Sequence, residues 1–168
     1  MLRKHLTFFL FLFPALVFAQ TAAELDTLLG TDAVTTNVAA RFVMGAAGLA
    51  PPELSGEEAK TSAYKTALAK GWVKSGPQEE ISLKEAAFLM MNVFELKGGI
   101  MYSIFHNPRY AYREMIYLKL IPGRTYANSK LSGQKFLQVL GRVLNYTGER
   151  EQMDAVLRSR GVISGVSN

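Results

Sequence analysis

Three times in this chain an apolar residue and a hydroxyl residue stand together at the head of a run with helical hydrophobic spacing. Val34-Thr35 precedes Val38, Ala39, Phe42, Val43, Ala46 and Ala47. Ile81-Ser82 precedes Ala86, Leu89, Met90, Val93 and Phe94, and Leu131-Ser132 precedes Phe136, Leu137, Val139, Leu140, Val143 and Leu144. Each run follows the i, i+3, i+4, i+7 rule of a helix with one buried face. Each hydroxyl is positioned to accept a hydrogen bond from an orphan N–H of the first turn. The apolar residue before it can pack on the residue at N4 (Ala39, Ala86 or Phe136) as a hydrophobic staple. Of these three starts only Ser82 also has a Glu three residues on, Glu85, which predicts a complete capping box.

A second set of helices lies upstream of the second and third runs, and its two members match each other. Ala63-Tyr64-Lys65 corresponds to Ala111-Tyr112-Arg113, Leu68 to Ile116, and Trp72-Val73 to Leu120-Ile121. Ser55 is the expected cap of the first, with Glu58 as its capping-box partner, Leu54 stapled to Ala59, and Gly71 as the stop. Asn107 is the expected cap of the second, with Pro108 in the first turn, where its missing N–H costs nothing. A shorter counterpart, Ala22 to Leu29, precedes the first run. The chain therefore reads as all-α: three helix–loop–helix units at about 22–49, 55–97 and 107–146. Repeated units of this kind bury their apolar faces against one another. Lys74 to Glu80 and Pro122 to Lys130 are read as polar loops, Gly98-Gly99 as a helix stop, and Ile100 to Phe105 as an apolar, aromatic linker. A last short helix is expected over about 149–160, with Met153, Val156 and Leu157 inward and Gly161 as its stop, before a frayed tail at 164–168.

The first residues carry a different pattern. Arg3, Lys4 and His5 form a basic start, Leu6 to Phe18 is apolar apart from Thr7 and Pro14, and Val17 and Ala19 occupy the −3 and −1 positions of a small-residue cleavage site. This predicts an exported protein with a signal peptide over 1–19, cut between Ala19 and Gln20, and a single domain over 20–163. The apolar run is shorter than the ~20 residues of a membrane span, so no stable membrane insertion is expected after cleavage. Retention of the segment as an anchor is the alternative. There is no cysteine among the 168 residues, which excludes disulfides, thiolate chemistry and a lipidated cysteine. The net charge is +5, and removal of Arg3 and Lys4 lowers it to +3, too mild for a dedicated nucleic-acid binder.

The segment Ala67 to Phe94, with Gly71-Trp72-Val73, a polar loop, and then Ile81-Ser82-Leu83-Lys84-Glu85-Ala86-Ala87, resembles an S-layer homology repeat. That family pairs a helix with a second helix opened by an Ile-Thr-Arg-Ala-Glu type motif. The resemblance implies three repeats in a pseudo-threefold bundle, covering nearly all of the chain after residue 20. It also implies binding of a cell-wall polymer through the motif's Arg. In this chain that position holds Leu83, with Thr36 and Gly133 at the matching places in the first and third units, and none of them is basic. The implied scaffold is thus better supported by these residues than the implied ligand.

Chemistry-bearing patterns are sparse. His106 is the one histidine after residue 5, and beside Asn107-Pro108 it reads as a loop or helix-entry residue without an acid–base partner. No His or Cys cluster has metal-ligand spacing, and no Gly-rich loop follows a strand, so neither metal nor cofactor is expected. Glu79-Glu80 precede a helix, where negative charge complements the dipole. Asp26, Asp32, Glu95 and Glu114 show no pairing in sequence. The run Phe88 to Phe94, rich in Met, has core spacing, with an adaptable binding face as the alternative.

The candidate interaction surface is Arg109, Tyr110, Tyr112, Arg113 and Tyr117. Arg109 and Arg113 share one helix face, and Tyr110 and Glu114 an adjacent one. Such residues anchor a protein partner or stack on a sugar polymer, but half-buried tyrosines and arginines paired to a neighbouring unit are the structural alternative. Ile100 to Phe105 either plugs the centre of the assembly or presents an apolar patch to a partner or membrane. The expected role is a non-catalytic envelope module whose partner is another envelope protein, followed by a cell-wall glycan binder and then by an enzyme with an unrecognised carboxylate pair. Loss of the Ser82 hydroxyl in Ser82→Ala is expected to cost about 1 kcal/mol, measurable as a lower urea midpoint.

Overall fold

The three apolar–hydroxyl pairs converge at the centre of the molecule. In the computed structural model, which describes residues 22–123 and 125–159, Val34, Ile81 and Leu131 are all fully buried. Their backbones bond directly to one another. Ile81 N–H donates to Val34 O at 2.9 Å, and Val34 N–H donates to Leu131 O at 2.8 Å. The residue two places on, at the head of each helix, donates across to the segment before another helix. Thr36 N–H bonds Glu79 O (2.9 Å), Leu83 N–H bonds Ser129 O (3.0 Å), and Gly133 N–H bonds Thr31 O (2.8 Å). The bonds thus pass from the first unit to the second, the second to the third, and the third back to the first. Antiparallel bridges Thr35–Glu80 and Ser82–Lys130 flank the same junctions.

Around this knot stand seven helices among the described residues, with no strand. They are α1 (22–29), α2 (Thr36–Ala46), α3 (Gly56–Ala69), α4 (Leu83–Val93), α5 (Ile100–Phe105), α6 (Pro108–Tyr117) and α7 (Gly133–Ser159). The principal packing is α2 on α3 and α4 on α6, so in the first two sequence units the second helix packs on the first helix of the next. One continuous core results. Phe136, Leu89, Met90, Met91 and Met115 lie inside it, which places the Met-rich run in the core. The residues expected to form the staples, Val34, Ile81 and Leu131 with Ala39, Ala86 and Phe136, all lie in that cluster.

The caps differ in detail from the sequence expectation. Ser82 Oγ accepts from Glu85 N–H at 3.4 Å, Ser132 Oγ from Lys135 N–H at 3.3 Å, and Asn107 Oδ1 from Arg109 and Tyr110 N–H. Thr35 and Ser55 make no side-chain cap bond; the Thr35 hydroxyl donates to Asn37 Oδ1 instead. Glu85 does not close a capping box on the Ser82 N–H. Its carboxylate is taken by the Ser75 hydroxyl (2.8 and 2.9 Å) and the Ser75 N–H, which tie down the loop at 74–80. Helix α4 stops at Val93, before the expected Gly98-Gly99, because Glu95 adopts φ 49° and closes the same turn that Gly48, Gly71 and Lys119 close elsewhere.

Two further expectations fail. Ile100 to Phe105 is a short helix rather than a linker. The third unit does not end near 146; α7 runs unbroken to Ser159, so no separate helix begins at 149. Thr147 points its hydroxyl back to Val143 O and Leu144 O, within the helix, so it cannot cap a new one. Gly148 lowers local helix stability by ~1 kcal/mol, too little to break a helix already nucleated on the core. Beyond Val143 no α7 residue is buried, so Met153 and Val156 are exposed rather than inward. The expected signal peptide 1–19 with its Ala19–Gln20 cut, Gly161, and the tail at 164–168 lie outside the described residues.

Gly133 carries the tightest junction. A Cβ there would overlap the carbonyl group of Leu28, where α1 meets the head of α7. Gly141, in the same helix, has open space around it. Gly133→Ala is therefore expected to destabilise by about 1–3 kcal/mol, and Gly141→Ala to stabilise by roughly 0.5–1 kcal/mol. Urea unfolding of both variants checks the pair; equal effects would refute the close approach.

Candidate functional site

The five residues singled out in the sequence do not form one surface. Tyr112 is half-buried, and its hydroxyl donates to Thr125 O at 2.5 Å. Tyr64, its counterpart in the second unit, donates in the same way to Ser75 O at 3.1 Å. Both tyrosines clamp the loop that follows their helix, which accounts for the repeated Ala-Tyr-Lys/Arg motif without a ligand. Tyr110 is also half-buried, its ring stacked on Phe105 at 5.0 Å and 17°. Arg109 and Arg113 are exposed and make no ion pair among the described residues, so the expected pairing with a neighbouring unit is absent there. Tyr117 is 80 % exposed. Tyr110, Arg113 and Tyr117, at i, i+3 and i+7, lie along one face of α6 over about two turns.

Next to that face lies α5, an inverted helix. Ile100, Met101, Ile104 and Phe105 are 78, 51, 67 and 52 % exposed, whereas Tyr102 is buried. At 100° per residue these four positions form one continuous stripe with Tyr102 on the opposite side. An ordinary surface helix does the reverse and turns its apolar stripe inward.

The inward side is held by a polar–aromatic clamp. Asn92, on α4, donates from Nδ2 to Phe88 O (2.7 Å) and to the Tyr102 hydroxyl (3.5 Å), and its Oδ1 lies 3.0 Å from His106 Nε2. That last bond requires the proton on Nε2, which fixes the His106 tautomer when the ring is neutral. The His106 ring packs against Tyr102 (4.9 Å) and edge-on to Phe88 (5.2 Å). His106 itself takes φ 35° at the C-terminus of α5, which turns the chain into α6. Its role is thus structural, while Asn92 is a residue that sequence spacing alone did not single out. Only its i+4 relation to Phe88 was visible there.

A second feature is a cleft of about 400 Å³ between α1, α2 and the start of α3, lined by Leu28, Val38 and Phe42 with Glu24, Ser55 and Lys60 at its edges. It lies at the seam of the first two units, away from α5. Its polar groups are partnered in part: Lys60 pairs with Glu57 at 2.7 Å, and Glu24 lies 3.9 Å from Arg41. Among the described residues no group of three or more His, Asp or Glu gathers in a metal-binding arrangement. No described helix is long and apolar enough to cross a membrane.

Burial pushes the Tyr102 hydroxyl from its ordinary value near 10 up to about 12, with the Asn92 hydrogen bond acting weakly the other way. The folded state therefore holds this proton more tightly than the unfolded chain does. The associated stability is complete below pH 10 and is lost as pH rises through about 12. In a tyrosinate absorbance titration Tyr102 should ionise late, and Tyr102→Phe should remove that late step and flatten the fall in stability over this window. A late step that survives in Tyr102→Phe would refute the assignment.

Comparisons with protein-family models, with curated proteins and with solved structures find no match to this chain.

Proposed function

We propose that this protein is a non-catalytic, exported envelope module that docks on another envelope component through the outward stripe of α5 and the neighbouring face of α6. The scaffold in this reading is a set of three S-layer-homology-like repeats about a pseudo-threefold axis. The cyclic backbone bonds among the segments before α2, α4 and α7 support that arrangement, as does the packing of α2 on α3 and of α4 on α6. Export rests on the basic, apolar and small-residue pattern of residues 1–19.

The observation that carries the docking reading is the stripe Ile100, Met101, Ile104 and Phe105, all at least half exposed on a helix anchored from behind. Contiguous exposed apolar side chains on a folded domain mark an interaction site. The anchoring by Tyr102, Asn92 and His106 means the stripe is presented in one conformation, so little ordering entropy opposes binding.

A second reading, cell-wall glycan binding, draws on Tyr117 and Arg113, the exposed aromatic and cation of α6. It has less support: Tyr110 and Tyr112 are engaged within the fold, and the three positions that match the family's polymer-binding Arg (Thr36, Leu83, Gly133) are buried.

In cells that make the protein, mass spectrometry should find the chain starting at Gln20, and fractionation should find it with the envelope. The double variant Ile104→Asp/Phe105→Asp should shift it to the soluble fraction with an unchanged melting temperature. A variant that stays with the envelope would end the α5 reading. Co-sedimentation with purified peptidoglycan, lost in Tyr117→Ala/Arg113→Ala, would favour the glycan reading in its place.

A further inference from the structure

We infer that the component met by the α5 stripe is an anionic lipid surface. This rests on the docking reading above and names its partner. Two observations favour lipid. The first is shape. The stripe is a single exposed ridge on a six-residue helix about 9 Å long. A protein interface of standard size needs about 800 Å² on each side, so a protein partner would have to draw most of its contact from outside the ridge. A bilayer interface moulds to a short ridge, and apolar side chains reach about 5–10 Å into the headgroup boundary.

The second is charge. Lys97 precedes the helix, and Arg109 and Arg113 follow it; all three are exposed and make no ion pair among the described residues. Across 95–119 the cations Lys97, Arg109, Arg113 and Lys119 outnumber the acids Glu95 and Glu114, and Glu114 is turned toward Gly99 at the start of α5. An apolar ridge flanked along the chain by exposed cations matches a surface that offers acyl chains beneath anionic headgroups. It is a poor match for a second copy of itself, because a two-fold contact would bring the same cations together as water leaves. The Phe105–Tyr110 stack joins the ridge to the side of α6 adjacent to the face that carries Arg109 and Arg113.

The chain has no cysteine, so one introduced thiol gives a unique label on the full-length protein. Met101→Cys carries an environment-sensitive fluorophore on the ridge, and Thr61→Cys carries it on the exposed side of α3 as a control. Placing the reporter on α5 reads that helix alone, whatever other segments touch lipid. Vesicles of phosphatidylglycerol and phosphatidylcholine should blue-shift the label at 101 and leave the label at 61 unmoved, whereas phosphatidylcholine vesicles should move neither. Arg109→Ala and Arg113→Ala should each lower the affinity read at 101 about fivefold, high salt should weaken it, and Ile104→Asp/Phe105→Asp should abolish the shift.

An equal shift on neutral vesicles, or one insensitive to both arginines, overturns the anionic-lipid assignment. So does a shift that appears without lipid as protein concentration rises, which would identify a second copy. No shift with any vesicle, together with envelope association that Ile104→Asp/Phe105→Asp still abolishes in cells, overturns the lipid assignment but leaves the docking reading intact. No shift and no effect of that variant in cells removes both.

Discussion

Backbone hydrogen bonds at the centre tie the three units to one another before any side chain is considered. The segments holding Val34, Ile81 and Leu131 leave their helices with N–H groups that have no intrahelical partner, and each buried group left unpaired costs about 1–3 kcal/mol. Here those groups are satisfied by carbonyls of the other units, at Glu79, Ser129 and Thr31. A unit taken alone would leave them unpaired in an apolar surround. The head of each helix is therefore buried: Thr36, Leu83 and Gly133 are all inside, and the close approach at Gly133 leaves no room for a side chain. A basic residue at any of these places would have to leave its charge in the core or break the knot.

This arrangement also explains why so much of the polar repertoire serves the fold. Tyr64 and Tyr112 hold loops, Glu85 fastens the loop before its own helix, and Asn92 and His106 clamp α5. What remains for function lies on the outside of the bundle. The apolar stripe of α5 is outward because its single inward residue, Tyr102, fills the space against Phe88, and Gly98 allows that ring to pack over the turn. The ridge is the by-product of a helix too short to bury two faces.

Much of the fold was legible because it rests on local rules. Apolar spacing located α2, α4 and the first part of α7, and Asn107-Pro108 located the start of α6. Where the reading failed, a nonlocal contact or a weak local signal decided. Glu95 and Lys119 end helices in a conformation usually marked by Gly, so the sequence pattern places the stop after α4 at Gly98-Gly99 instead. Glu85 follows Ser82 at capping-box spacing, yet Ser75 across the loop supplies a better-placed donor. Thr147 and Gly148 resemble a helix boundary, yet the helix continues through them, since the Thr147 hydroxyl bonds back within the helix and one Gly costs only about 1 kcal/mol.

The candidate site was legible only in outline. Arg109, Arg113 and Tyr117 were identified from composition and spacing and are exposed, whereas Tyr112 was identified by the same logic and is a loop clamp. By itself the sequence determined an all-helical chain, because apolar periodicity and helix-start signals act within a few residues of each other. Only the tertiary structure decided which side of α5 faces water and which tyrosine is free. Those outcomes depend on Phe88, Asn92, Tyr102 and Thr125 meeting across elements, and a linear pattern carries no information about such meetings.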